Sequence, residues 1–202
     1  MRQIRKYWPT NENSLEWAIR WRHPVSLAVI LACVALQFTT PPSWPKGGLA
    51  DNLSDLVGFP LVVLAAFGRI WCSIYISGYK EDRIVAEGPY AIVRNPLYVF
   101  SCLGVIGLGL TTNHLLILTI VTGAFFLYYP LVVLAEERNL QRKFGNAYEE
   151  YRLQVPRFIP NEFRLVEPDP YLVRPRHLRR SLQEIVCFFW AYLSIHLLVH
   201  LQ

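Results

Sequence analysis

Five apolar blocks, at roughly 25–39, 53–78, 97–112, 115–135 and 183–201, set the terms on which this chain can fold. Most approach the ~20 residues an α-helix needs to cross ~30 Å of hydrocarbon, and the first and third are the shortest. Hydrophobic residues make up 53% of the 202 positions and charged ones only 17%, whereas a soluble domain carries about a quarter charged residues. The expected fold is therefore all-α: a polytopic transmembrane helical bundle of about five spans, forming one integral membrane domain over 1–202. A cleaved signal peptide is not expected, because mixed polar residues precede the first block and no small-residue cleavage site follows it.

The basic residues predict an orientation. Of the 20 Lys and Arg, five fall in 1–24, three in 79–96 and ten in 136–180, with Lys46 alone in the loop 40–52 and Arg69 inside the second block. With alternating spans, the three basic stretches share one side, which the positive-inside rule makes the cytoplasm. A multi-pass protein with its N-terminus and polar loops in the cytoplasm follows. The net charge of +5 is then matched to anionic headgroups, with membrane lipids as partners and no nucleic acid.

Local signals refine this. Segment 1–24 mixes basic residues with Tyr7, Trp8, Trp17 and Trp21, as an interfacial segment does. Pro41, Pro42, Pro45 and Gly47-Gly48 predict an outer turn. Arg69, at mid-depth in the second block, either snorkels or lines a polar cavity. Asn95-Pro96 is a helix start, Asn as cap and Pro at the first helical position, and its free N–H groups suit an anion. The fourth long helix is expected from Leu115 to Phe144, stopped by Gly145 and kinked at Pro130. Its length carries Glu136-Glu137 past the bilayer core; seen alone, that pair is a solvated helix end. Residues 148–177, rich in Pro and Arg with interleaved aromatics, are expected as an ordered cytoplasmic cover, and 183–201 as a C-terminal span. Cys33, Cys72, Cys102 and Cys187 lie in apolar blocks as reduced, buried thiols. The sequence has no GxGxxG, P-loop or HExxH, and no metal site is expected.

The run from Gly78 to Tyr98, with Glu-Gly-Pro-Tyr-Ala-Ile-Val-Arg-Asn-Pro-Leu-Tyr at its end, resembles the cofactor motif of the isoprenylcysteine carboxyl methyltransferases. These belong to a superfamily with the phospholipid methyltransferases. A second run, Glu136-Glu137 through Phe144-Gly145 to Tyr148 and Tyr151, then Val155-Pro156-Arg157-Phe158-Ile159-Pro160, is similar to the same family in order and spacing. The resemblance covers about residues 60–160. It implies S-adenosylmethionine as cofactor and a lipophilic or membrane-delivered acceptor, prenylated or lipid. By position, Asp82, Arg83, Ile84, Val85 and Tyr90 would line the cofactor pocket. Asn95, Pro96, Leu97 and Tyr98 would form its floor, and Glu136 would reach in from the fourth helix. Arg94 would orient an anionic acceptor or the cofactor carboxylate, and Glu137 would be a base for an amine acceptor.

Three positions depart from the family pattern. Asn95 stands where His is usual, Phe100 where many members have a small residue, and Val132 where an Arg is assigned to the substrate of the carboxyl methyltransferases. Two other readings stay open. Sterol reductases, which use NADPH, carry a related Tyr-x-x-x-Arg-His-Pro-x-Tyr run. A non-catalytic scaffold could instead hold haem through His196 and His200, spaced i,i+4.

Overall fold

In a computed structural model that describes residues 12–77, 79, 82–169, 171, 173 and 175–201, the apolar blocks are helices and the charged segments gather at helix ends. The order is α1 (Glu12–Thr39), α2 (Leu49–Ile76), the single turn α3 (Pro89–Ile92), α4 (Pro96–Leu110), α5 (Leu115–Phe144), α6 (Asn146–Gln154) and α7 (Pro175–Leu201). The fold is all-α, with no strand among the described residues.

Three helices, α1 from Trp17, α2 and α5, are long and apolar enough to cross a membrane. Against the expected five spans, α4 has 15 residues, ~22 Å of helix where ~30 Å of hydrocarbon must be crossed. The first part of α7 is basic and polar, which leaves the block expected at 183–201 as its second part. The expected interfacial segment 1–24 also differs. From residue 12 it is the start of α1, which runs through Pro24 without interruption, and residues 1–11 lie outside the described residues. Pro60 and Pro130 are likewise inside continuous helices. Apolar surroundings remove the competition of water for the freed carbonyls, so proline is tolerated there.

Of the long helices, α4 lies between α2 and α5, α1 packs on α5, and α7 packs on α2 and also touches α4. Glycine sets the α2–α4 contact. A Cβ at Gly58 would stand 2.9 Å from the Gly107 carbonyl oxygen, and one at Gly107 would stand 2.7 Å from that of Gly58. Further along, the Phe100 ring lies over Gly68, where a Cβ would meet it at 2.1 Å. Phe100 is thus a packing knob filling a glycine hole, and its bulk is spent on helix contact. In an apolar solvent, helices gain from such close van der Waals approach rather than from the hydrophobic effect. The α1–α5 contact uses the Tyr128 hydroxyl, which donates to the Ala18 carbonyl at 2.5 Å, and stacked Trp17 and Trp21.

The α4–α5 turn is held by a buried polar clasp. Asn113, the one described non-glycine residue with positive φ (56°), donates its amide to Asp51 of α2 and accepts from Trp44 Nε1 at 3.1 Å. Its carbonyl accepts the Ser43 N–H at 2.8 Å, and the Ser43 hydroxyl accepts the Leu115 N–H at 2.9 Å. Asp51 also accepts the Gly47 N–H at 2.7 Å. The expected outer turn of prolines and glycines is thus bonded to the ends of α2, α4 and α5.

Gly107→Leu should overpack the α2–α4 contact and cost about 1–3 kcal/mol. Thermal unfolding in detergent should show this as a lowered Tm. Gly123→Leu, where nothing lies within 4 Å of a new Cβ, should leave Tm within a degree or two; equal losses would refute the glycine contact.

Candidate active site

Gly145 ends α5 as expected: with φ of 56° its N–H bonds the Gln141 carbonyl at 2.9 Å and the chain turns into α6. After α6, residues 155–169 return as an irregular strap to the start of α4, with Tyr171 just beyond. There the Arg94 N–H donates to the Pro156 carbonyl at 2.8 Å and the Asn95 N–H to that of Arg157 at 3.2 Å. Pro96 occupies the first helical position, but the Asn95 side chain makes no capping bond. It turns to α5, and its Nδ2 donates to Glu137 Oε1 at 2.9 Å.

Glu137 is the centre of the site. Arg157 grips it with two nitrogens, Nε at 3.1 Å from both carboxylate oxygens and Nη2 at 2.6 Å from Oε2. Arg94 Nε stands 3.4 Å from Oε1. The Glu137 side chain is 7% exposed and that of Arg157 43%. A carboxylate removed from water is tolerated only when paired and hydrogen-bonded, and here two guanidiniums and an amide meet it. Arg94 also donates through Nη1 to the Arg152 carbonyl at 2.6 Å, near the end of α6. These bonds revise the expectation of Glu137 as a base, because its lone pairs are already committed. They also commit Arg94, which was expected to face the acceptor.

The adjacent Glu136 faces elsewhere. Its Oε1 is 3.7 Å from Arg22 Nη1 of α1, and it accepts a hydrogen bond from Tyr98, in the first turn of α4. Consecutive helical residues point ~100° apart, so Glu137 meets Arg94, Asn95 and Arg157 while Glu136 meets Tyr98 of α4 and Arg22 of α1.

Beneath the motif loop lies a small core of Cys72, Tyr75, Val85 and Tyr90, with Leu97 and Phe100 against it. Gly88 is required there: at φ of 57° its Cα rests on the Tyr75 ring, where a Cβ would clash at 2.5 Å. The Tyr151 hydroxyl of α6 donates to the Tyr90 carbonyl at 2.8 Å. The hydroxyls of Tyr90 and Tyr148 are buried with no hydrogen-bond partner. Such groups are rare and point to a missing partner. Burial first, and then Cys72 near Tyr90, Glu137 near Tyr148 and Tyr148 near Tyr151, push these three phenols above their ordinary value. They stay protonated at neutral pH, as hydrogen-bond donors and not as bases.

Of the expected cofactor-pocket residues, Val85, Tyr90, Asn95, Pro96, Leu97 and Tyr98 lie along this core and the α4 start. Asp82 and Arg83 are exposed on the rim and Ile84 is half-buried. Arg83 pairs with Glu87 at 2.7 Å and lies over the rings of Tyr79 and Tyr171 at 5.0 and 5.9 Å. The strap holds this rim: Gly88 N–H bonds the Val166 carbonyl at 2.8 Å, Tyr75 donates to Glu167 at 3.3 Å, and Tyr171 donates to the Tyr75 carbonyl. Arg69 joins α2 to α4: its Nη1 donates to the Ser101 hydroxyl at 2.5 Å. Val132 is fully buried. In α7, His196 stacks on Tyr192 at 5.7 Å, and the His200 side chain lies outside the described residues. Sequence reasoning missed Arg157 as the main partner of Glu137. Its signal was a cation set among Val155, Pro156, Phe158 and Ile159 with no charge beside it.

The phospholipid methyltransferase family model matches residues 59–147. The nickel-cobalt-cadmium resistance protein NccN of Alcaligenes xylosoxydans xylosoxydans is 34% identical over 83% of this chain and 76% of its own length. The cobalt-zinc-cadmium resistance protein CzcN of Cupriavidus metallidurans is 37% identical over 83% and 77%. The protein-S-isoprenylcysteine O-methyltransferase of Schizosaccharomyces pombe is 30% identical over 40% of this chain and 34% of its own. No solved structure matches.

Glu137→Ala should leave two guanidiniums facing a void and cost about 3–5 kcal/mol. Arg157→Ala, on the exposed side of the same pair, should cost about 1–2 kcal/mol. Thermal unfolding of both variants checks the order, and a larger loss for Arg157→Ala would contradict the hub.

Proposed function

We propose that this chain, a member of the phospholipid methyltransferase superfamily that is also similar to the two cation-resistance proteins over 83% of its length, is an integral membrane enzyme that moves a methyl group from S-adenosylmethionine to a lipophilic or membrane-delivered acceptor. The observation that carries the reading is the buried, unpartnered Tyr90 hydroxyl beside an α4 N-terminus immobilised by Glu137, Asn95 and Arg157. These residues fit the cofactor. A helix N-terminus suits its carboxylate, the Tyr90 hydroxyl can bond a ribose or adenine atom, and Glu136 offers charge for an ammonium or hydroxyls. Insertion as a multi-pass protein with the motif loops in the cytoplasm is part of the proposal, supported by the distribution of Lys and Arg.

Bound, S-adenosylmethionine would supply a methyl group on a positively charged sulfur. Transfer of that group to an acceptor would depend chiefly on alignment and on the exclusion of water. Here Glu137, Arg94 and Arg157 act by positioning: they fix the start of α4 against α5 and the strap. Tyr90 and Glu136 are assigned to contact the cofactor, Asp82 and Arg83 to its outer rim, and Val85, Pro96 and Leu97 to the apolar wall that excludes water. Tyr98 orients Glu136.

Two of the relatives are named for resistance to nickel, cobalt, zinc and cadmium. A part in cation resistance through methylation of a membrane constituent is consistent with their coverage of this chain. Expression of the chain in a sensitive host should then raise the tolerated cobalt or cadmium concentration, and the Glu136→Ala chain should not.

Calorimetry of S-adenosylhomocysteine with detergent-purified protein tests the site. Micromolar binding is expected. Tyr90→Phe should weaken it roughly five- to tenfold, one hydrogen bond's worth, with Tm unchanged because the hydroxyl makes no bond within the protein. Absence of binding in folded protein would overturn the proposal.

A further inference from the structure

A glutamate that meets a ligand has a long, rotatable side chain to immobilise, and that ordering costs free energy. Two helices besides its own hold Glu136. Tyr98 of α4 donates a hydrogen bond to its carboxylate, and Arg22 Nη1 of α1 stands 3.7 Å from its Oε1. Arg22 is itself placed by the packing of α1. Ala18, Arg22 and Ser26 recur every four residues on one face of that helix. The Ala18 carbonyl accepts the Tyr128 hydroxyl of α5 at 2.5 Å, and the Ser26 hydroxyl stands 3.5 Å from that of Tyr129. The face thus meets α5 one turn before Arg22 and one turn after it. The Arg22 Nε donates to the neighbouring His23 ring at 3.3 Å, while Nη1 faces Glu136.

We infer that Arg22 is a positioning residue of the candidate site, through which α1 aims and charge-compensates Glu136 before the cofactor arrives. The inference rests on the methyltransferase reading, and it adds to the site a helix that lies outside residues 59–147 of the family match. The two adjacent glutamates are held in different ways. Arg157 reaches Glu137 at 2.6 Å and takes up its lone pairs. At 3.7 Å from Glu136, Arg22 is beyond hydrogen-bond distance, so it fixes that carboxylate by charge without occupying a lone pair. The Glu136 side chain is 18% exposed against 7% for Glu137. It is accessible enough to meet a ligand and buried enough to feel a neighbouring charge. One carboxylate is saturated by the protein; its neighbour is held and presented. A half-exposed ion pair contributes little to stability. What Arg22 supplies is order: it restricts the rotamers of Glu136, and a preorganised contact loses less entropy on binding.

A mutant cycle read by calorimetry of S-adenosylhomocysteine with the detergent-purified full chain tests this role. Arg22→Gln, which keeps much of the stem and removes the charge, should weaken binding about three- to fivefold and leave Tm nearly unchanged. Arg22→Lys should restore binding to within about twofold of the native chain, because a contact by charge alone tolerates lysine where a bidentate one does not. In a Glu136→Gln background, Arg22→Gln should cost nothing further, since its effect passes through that carboxylate. Arg20→Gln, at an exposed position of α1, controls for the general charge of the helix and should bind as the native chain does. Native-like binding by Arg22→Gln, or an equal loss with and without Glu136, would overturn the inference. If Glu136→Gln binds too weakly to measure, the lysine variant decides: binding as weak as that of Arg22→Gln overturns the role, and recovery supports it. Should Arg22→Gln not fold, Arg22→Met takes its place and is read in the same way. A native chain that does not bind would overturn the methyltransferase reading and this one with it. Native binding unaltered by Arg22→Gln would overturn this one alone, so the two failures are distinguishable.

Discussion

One buried carboxylate organises the polar half of this molecule. Glu137 sits on α5 just past its apolar stretch, where an unpaired charge would cost several kcal/mol. Meeting that cost draws in Arg94 and Asn95 from the start of α4 and Arg157 from the strap. Three segments remote in sequence are thereby fixed at one point. The Asn95 amide reaches α5 and leaves capping aside.

The apolar half follows a different rule. With no water between helices, there is little hydrophobic gain in bringing α2 and α4 together, and close approach must supply the attraction. Gly58, Gly107 and Gly68 allow that approach, and Phe100 fills the space it opens. Because α4 is pinned at both ends, by Asn113 to Asp51 and by Asn95 to Glu137, it is a fixed strut on which the motif loop rests. Methyl transfer rewards such a strut, since its barrier is lowered chiefly by alignment.

Much of this was legible in the residues. The apolar blocks announced the helices, and α5 runs from Leu115 to Phe144 with Gly145 behind it, as length and the glycine signal implied. Proline at the first position marked the start of α4, and the two motifs in register carried the superfamily. Less legible were features that depend on a solvent or a partner. Pro24 and Pro60 carry a helix-breaking cost that is judged for water, yet both lie within helices. Asn95 read as a cap, because capping is the local use of that side chain and a carboxylate 42 positions away cannot be seen from its neighbours.

The division has a physical cause. Helix periodicity, turn residues and charge distribution act over a few positions, so the sequence alone determined an all-α membrane architecture with its polar motifs at helix ends. Which of two adjacent glutamates is buried, which arginine holds it and which tyrosine hydroxyls are left without partners depend on how α4, α5 and the strap pack. Neighbours on a helix point ~100° apart, and only the tertiary structure decided that Glu137 turns toward Arg157 while Glu136 turns toward Tyr98 and Arg22.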